Sequence, residues 1–245
     1  MATTLNRTTV GMAVYAERYA LSLVYLWLTW QECRKPWLGW NGQAATEGAV
    51  AIQTSCHLTQ VLLFFFTALL LLLARRAVVP PQKLKEIFIP LVTTFFTLTY
   101  SAVPWFPAAL QKKICPADWQ MPITIAAIVL IVIGPAIALW GILYLGRSFG
   151  IFVEVRKVVL GGPYRWVRHP MYLGWICVCA GNALGFFSAA YFILVTIHIF
   201  LLQYRARLEE AELAAYSAEY REYRKRTGFI FPRFRRRTGD SPAAG

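Results

Sequence analysis

Charge is scarce in this chain. Only 15% of its 245 residues are Asp, Glu, Lys or Arg, against about a quarter in a typical soluble domain. Acids are the scarcer sign, 12 against 25 Lys and Arg, and there are three histidines. This composition excludes an ordinary water-soluble globule and leaves few residues able to carry chemistry. The five cysteines (Cys33, Cys56, Cys115, Cys177 and Cys179) lack the spacing of metal ligands, so no metal site is expected. Cys177 and Cys179 lie in an apolar stretch, where cysteine behaves as a small hydrophobe. Cys33 and Cys115 fall in two loops on the same predicted side of a membrane, which is compatible with a disulfide. There is no Gly-rich phosphate loop, no His-Glu-x-x-His and no serine nucleophile elbow. Nor is there an internal repeat with ionisable residues at broken mid-membrane helices, the pattern of a transporter.

Apolar sequence fills the space instead. Hydrophobic residues make up 58% and the mean hydropathy is +0.48. They gather in blocks such as Val61 to Ala74 and Ile123 to Leu145. A helix crossing hydrocarbon needs about 20 mostly apolar residues. Such segments fall at roughly 12–30, 50–74, 86–104 and 122–146, and a short pair follows at 171–185 and 186–204. The predicted fold is all-α, a polytopic membrane protein with about five to six transmembrane helices. Glu17 and Arg18 interrupt the first segment and break the apolar core a cleavable signal needs. Asn182 and Gly185 predict a tight helical hairpin in the last pair.

The net charge is +13, which raises nucleic acid as a partner, but the distribution argues for a bilayer. Arg75, Arg76, Lys83 and Lys85 share one loop, and Arg147, Arg156, Lys157, Arg165 and Arg168 another; the C-terminal tail is basic. Alternate loops hold only Arg34 with Lys35, and Lys112 with Lys113. That asymmetry is the positive-inside pattern. It predicts that the Arg75 loop, the second loop and the C-terminal region face the cytoplasm. The tail itself is suited to anionic headgroups.

Residues 1–120 read as an N-terminal transmembrane scaffold, 121–232 as a functional core, and 233–245 as a disordered basic tail. Within the core, Gly134-Pro135 predicts a kink in the fourth span. Gly161-Gly162-Pro163 predicts a turn allowing close backbone approach, and His169-Pro170 starts a helix with proline in its first turn. Leu202 to about Arg226 reads as the last span running on into an amphipathic helix. Arg205 and Glu209 share a helical face there; a surface pair of that kind contributes under about 1 kcal/mol. Tyr216, Tyr220 and Tyr223 recur at helical spacing, as residues packing that helix on the membrane surface do. His57 and His198 sit alone in apolar runs and read as packed core histidines.

The densest polar constellation is Gly162-Pro163-Tyr164-Arg165-Trp166-Val167-Arg168-His169-Pro170-Met171-Tyr172-Leu173-Gly174, against the start of an apolar segment. Ionisable groups at a bilayer boundary mark function. Across the predicted hairpin comes Arg205-Ala-Arg-Leu-Glu209-Glu210, so both clusters should meet at one membrane surface. The first motif resembles the signature of isoprenylcysteine carboxyl methyltransferases and phospholipid methyltransferases. Arg205-x-x-x-Glu209-Glu210-x-x-Leu213, followed by Tyr220-x-x-Tyr223 and Pro232, is similar to the second block of that group. Arg147-Ser148-Phe149 and Val153-Glu154-Val155-Arg156 resemble its upstream region. Two departures stand out: Tyr216-Ser217 replaces the usual Phe-Gly, and 156–161 is short and lacks a histidine often found there.

The resemblance implies methyl transfer from S-adenosyl-L-methionine to a lipophilic or lipid-anchored acceptor. It implies a cofactor pocket of Tyr164, His169, Pro170, Met171, Tyr172 and Glu209, with Arg205 meeting the acceptor. The residues agree with this chemically. Displacement at a sulfonium methyl needs alignment more than acid catalysis. A carboxylate acceptor needs a cation to fix it, and Arg205 or Arg168 offers two parallel hydrogen bonds. An amine acceptor, as in phosphatidylethanolamine, needs a base instead, and Glu210 or His169 is available. Membrane sterol reductases, which use NADPH, have a distantly similar C-terminal layout but lack the Gly-Pro-Tyr-Arg turn.

Overall fold

The computed structural model describes residues 7–34, 47–74, 77–155 and 158–233. The basic tail from 234 on, the Arg75-Arg76 and Arg156-Lys157 pairs, Lys35 and the side chains of Glu17, Arg18, Cys56 and His57 lie outside the residues described. The elements are α1 (Arg7–Arg34), α2 (Glu47–Leu73), α3 (Leu84–Phe95), a 3₁₀ helix (Phe96–Trp105), α4 (Ala108–Gln111), α5 (Gln120–Leu145), α6 (Pro170–Phe186), α7 (Ala189–Tyr216) and α8 (Ala218–Arg226). Among the described residues there is no strand, only three isolated bridge pairs. The fold is all-α, as composition predicts. Among the described residues two helices are long and apolar enough to cross a membrane, Ala117–Leu145 and Ala189–Tyr216, while Pro170–Phe186 is a shorter apolar helix.

The predicted third span is not one α-helix. Pro90 sits inside α3, and the Thr93 hydroxyl donates back to the Ile89 carbonyl at 2.7 Å. Thr97 and Thr99 do the same toward Thr94 and Phe96 at 3.1 and 2.6 Å. Such back-bonding bends helices, and the chain continues as 3₁₀ helix from Phe96. The start of α3 is fixed by Glu86, whose Oε2 accepts from the backbone N–H of Gln82 at 2.6 Å and of Lys83 at 3.1 Å.

The α6–α7 hairpin turns at Phe187, which takes a left-handed conformation with φ 43°, rather than at Asn182 or Gly185, both inside α6. Pro170 opens α6 as expected. The last helix also differs from the single run predicted. It stops at Tyr216; Ser217 then caps α8, its hydroxyl accepting from the Tyr220 N–H at 3.2 Å. Cys33 and Cys115 are free thiols, so the compatible disulfide does not form.

α5 and α6 pack backbone to backbone. A Cβ added at Gly174 meets the Gly134 carbonyl oxygen at 2.3 Å and the Ala138 nitrogen at 2.6 Å. Small residues that let backbones approach are the usual contact between membrane helices. Gly174→Ala is therefore expected to destabilise by about 1–3 kcal/mol, the usual cost of overpacking. The check is a lowered Tm of the detergent-purified variant. On the other side of α5, a core joins Tyr25 and Phe64 from α1 and α2 to Ile142, Phe149 and Ile151. Both halves of the chain thus wall the same interior.

Candidate active site

The motif end of the bundle is built on two adjacent carboxylates that face different partners. Glu210 is buried and belongs to a closed ionic cluster. Its Oε1 accepts from Arg168 Nε at 2.5 Å and lies 3.1 Å from His169 Nε2. Arg224 Nε of α8 stands 3.3 Å from its Oε2. Arg168 also donates to the carbonyls of Arg224, at 3.0 Å, and of Thr227. The backbone N–H of Arg168 donates to the Gly228 carbonyl at 2.9 Å, and that of His169 to Phe229 at 3.2 Å. The cluster thus clamps α8 and the loop after it onto the motif. The two clusters predicted to meet across the hairpin do meet.

Removing one partner of a buried ion pair costs about 3–5 kcal/mol because the other is left uncompensated. Glu210→Ala should free the α8 segment before it unfolds the bundle. Limited trypsin digestion should then cut between Arg221 and Arg226 faster than in wild type, and Glu210→Gln should fall between the two.

Glu209, one residue earlier, points the other way along α7. Its Oε1 accepts from the Tyr172 hydroxyl and from Arg205 Nε at 3.1 Å. Arg205 is buried, unlike a surface pair. It donates further from Nη1 to Thr94 Oγ1 at 3.0 Å and from Nη2 to the Ile151 carbonyl at 2.6 Å. Its guanidinium carbon lies 5.5 Å from the centre of the Tyr172 ring. A guanidinium has five N–H donors, so after these three bonds one N–H remains on each terminal nitrogen.

Two cavities adjoin this pair. A polar cleft, partly open to solvent, is lined by Glu209, Tyr164, Arg168, His169, Met171 and Tyr172, with Glu154, Phe149 and Tyr220 among the other walls. An apolar cavity, also partly open, is lined by Arg205 and by Tyr25, Phe64, Thr94, Ile142, Trp175 and others. Phe149, Met171 and Tyr172 line both, so they form the partition. Burial in the cleft wall pushes the phenols of Tyr164, Tyr220 and Tyr223 above their usual range. All three stay protonated, and the Tyr223 hydroxyl donates to the Tyr164 carbonyl at 2.6 Å.

Five of the six residues expected around the cofactor line the polar cleft. Pro170 does not; it is buried at the start of α6 against Gly141 of α5. Arg168 faces the cleft and Arg205 the apolar cavity, so the two arginines offered for the acceptor stand on opposite sides of the partition. Tyr220 and Tyr223 turn into the cleft instead of lying on a membrane surface, and only Tyr216 is exposed. Gly162 at the motif turn has φ +57° with the Tyr144 ring 2.3 Å from where a Cβ would sit, so no other residue fits there. Ser148, Gly150, Glu154, Val158 and Val159 also line the cleft. Likeness in the upstream region was the signal for Ser148 and Glu154; it did not extend to Gly150 or the two valines.

Comparison with known proteins bears on this arrangement directly. Residues 127–215 match the isoprenylcysteine carboxyl methyltransferase (ICMT) family. The likeness read from the motif holds. The protein-S-isoprenylcysteine O-methyltransferase of Saccharomyces cerevisiae is 31% identical over 137 residues, 52% of this chain and 53% of that protein. The Homo sapiens protein of the same name is 25% identical over 138 residues, 52% of this chain and 48% of its own. The chain spans about half the length of the curated relatives it matches. The ICMT match covers α6, nearly all of α7 and the loop between α5 and α6, which supply Arg168, His169, Tyr172, Arg205, Glu209 and Glu210. It stops short of α8, whose tyrosines complete the cleft.

Proposed function

We propose that the chain is an S-adenosyl-L-methionine-dependent methyltransferase acting on the carboxylate of a lipophilic or lipid-anchored acceptor of the isoprenylcysteine kind. One observation carries the proposal. A buried arginine with two spare N–H groups lies in an apolar cavity, 3.1 Å from a carboxylate that lines an adjoining polar cleft.

The cleft fits the cofactor by charge and surface. S-adenosylmethionine carries an ammonium and a sulfonium, and the cleft offers Glu209, Glu154 and the faces of Tyr164, Tyr172 and Phe149. Glu209 holds its ammonium, and His169, Met171 and Tyr172 take the rest of the wall. When bound, the cofactor supplies an electrophilic methyl group on a positively charged sulfur. Arg205 orients the acceptor carboxylate through its two free N–H groups, a planar fork matched to two oxygens. Thr94 and the Ile151 carbonyl hold that fork still. Phe149, Met171 and Tyr172 keep water from the partition, which favours a step that cancels opposite charges. Arg168 organises Glu210 and α8 rather than touching the acceptor.

An amine acceptor is less well served. The two candidate bases, Glu210 and His169, are bonded to each other, and neither lines the apolar cavity. The ICMT likeness favours neither a reductase nor a transporter. We place the cleft on the cytoplasmic face, on the charge asymmetry of the loops, and the further helices across the bilayer with the two long ones.

The test is calorimetric titration of detergent-purified protein with S-adenosylmethionine, with NADPH alongside, then labelled-methyl transfer to N-acetyl-S-farnesylcysteine. Cofactor binding with base-labile label in the product supports the proposal. NADPH binding alone, or label in an amine of added phosphatidylethanolamine, overturns it.

A further inference from the structure

His198 is completely buried and takes no part in the site described above. Its Nε2 donates to the Thr93 carbonyl at 3.1 Å, an oxygen that can only accept. Its Nδ1 lies 3.1 Å from the Tyr100 hydroxyl and 3.5 Å from Cys179 Sγ. The Tyr100 hydroxyl is in turn 3.6 Å from Cys179 Sγ. One cluster therefore ties together α3, the 3₁₀ helix, α6 and α7.

Its place relative to the apolar cavity is what gives it meaning. Along α7, Arg205 and Leu202 line that cavity, and His198 is one turn farther from the motif end. Along α6, Trp175 lines it and Cys179 is one turn beyond. Along the 3₁₀ helix, Thr97 lines it and Tyr100 is one turn beyond. Three elements thus leave the cavity at the same level and converge on the same polar contact. The His198 ring also meets Trp175 edge to face, with centroids 6.2 Å apart. Next to it Cys179 packs with Ala183 and Val195 in a buried apolar cluster. Seven residues separate His198 from Arg205, about 10 Å along the helix axis.

We infer that the Tyr100–His198–Cys179 cluster is the floor of the apolar cavity and sets the longest apolar chain that an acceptor anchored at Arg205 can carry. This rests on the reading of that cavity as the acceptor site. A polar floor suits the purpose because its hydrogen bonds fix the ring in one orientation, whereas a floor of Leu or Met would repack around a longer chain. His198 is here a specificity-determining residue through the space it closes, and it touches no reacting atom.

The test uses the full detergent-purified chain, S-adenosylmethionine and N-acetyl-S-alkylcysteines of increasing straight-chain length, read by calorimetric binding and by methyl transfer. In wild type, affinity should rise with each methylene and break once the chain reaches the floor. His198→Ala should move that break to longer chains, raising kcat/KM for the first excluded length by about 10-fold with cofactor affinity unchanged. Thr97→Leu fills space just above the floor and should move the break to shorter chains; it keeps the test decisive if His198→Ala does not fold. Tyr100→Phe keeps its ring and leaves the Thr93 carbonyl to hold His198, so it should leave the break in place. A wild-type series without a break, or a break that neither His198→Ala nor Thr97→Leu moves, overturns the floor. Binding that shows the break while no methyl is transferred overturns the reaction proposed and leaves the floor standing.

Discussion

Glu209→Ala is expected to abolish measurable S-adenosylmethionine binding in a calorimetric titration. Charge in a partly enclosed site is the cause. Among the described residues Glu209 and Glu154 are the carboxylates on the cleft wall, and Arg168, which also lines it, is neutralised by Glu210. A cofactor ammonium that loses Glu209 leaves water for a wall whose other described carboxylate, Glu154, is already engaged elsewhere. Truncating one partner of such a charge pair costs about 2–5 kcal/mol, roughly 30-fold to several thousand-fold in Kd. Alanine also removes the acceptor for Arg205 Nε and the Tyr172 hydroxyl, so part of the loss is a displaced partition. Glu209→Gln separates the two effects, since its amide oxygen still accepts from Tyr172 while the charge is gone. It too should bind at least about 10-fold more weakly. Normal cofactor affinity in Glu209→Gln would mean that the cleft does not hold its ligand by this carboxylate.

The legibility of this site in the sequence was uneven, for physical reasons. The long apolar helices announce themselves by run length, and the motif end by polar groups that hydrocarbon does not tolerate without use. Tyr164, His169, Tyr172 and Glu209 could be gathered from spacing and likeness because they sit on the two blocks that one hairpin brings together. The apolar cavity could not. Tyr25, Phe64, Thr94 and Trp175 are residue types that fill any core, and nothing in composition distinguishes a wall from packing. The break at Ser217 was hidden as well. Tyr216, Tyr220 and Tyr223 keep helical spacing across it, yet the new helix direction turns the last two into the cleft. His198 was read as a core histidine, which it is; only the three-dimensional levels of Thr97, Trp175 and Leu202 show that it closes a cavity.

Arg205→Lys should separate the acceptor from the cofactor. Lysine keeps the positive charge but not the fork, so it cannot bond Glu209, Thr94 and Ile151 while presenting two parallel N–H groups to a carboxylate. Cofactor affinity should change little, because Arg205 lies across the partition from most of the cleft. The expected loss is in kcat/KM for the acceptor, about 2–5 kcal/mol or at least roughly 30-fold, with alanine worse than lysine. A second readout distinguishes this from mere disorder of the site. A carboxylate acceptor with a pKa of about 3.5 is fully ionised at neutral pH and needs no base, so the wild-type pH–rate profile should be flat from about pH 6 to 9. An amine acceptor would instead give a rising limb as it loses its proton. Arg205→Lys should therefore lower the whole profile without bending it. If the variant loses cofactor binding in proportion to activity, Arg205 is part of the cleft wall and the partition has been drawn in the wrong place. If it retains both, the acceptor carboxylate is held by another cation, and Arg168, across the partition and released from Glu210, is the one to test.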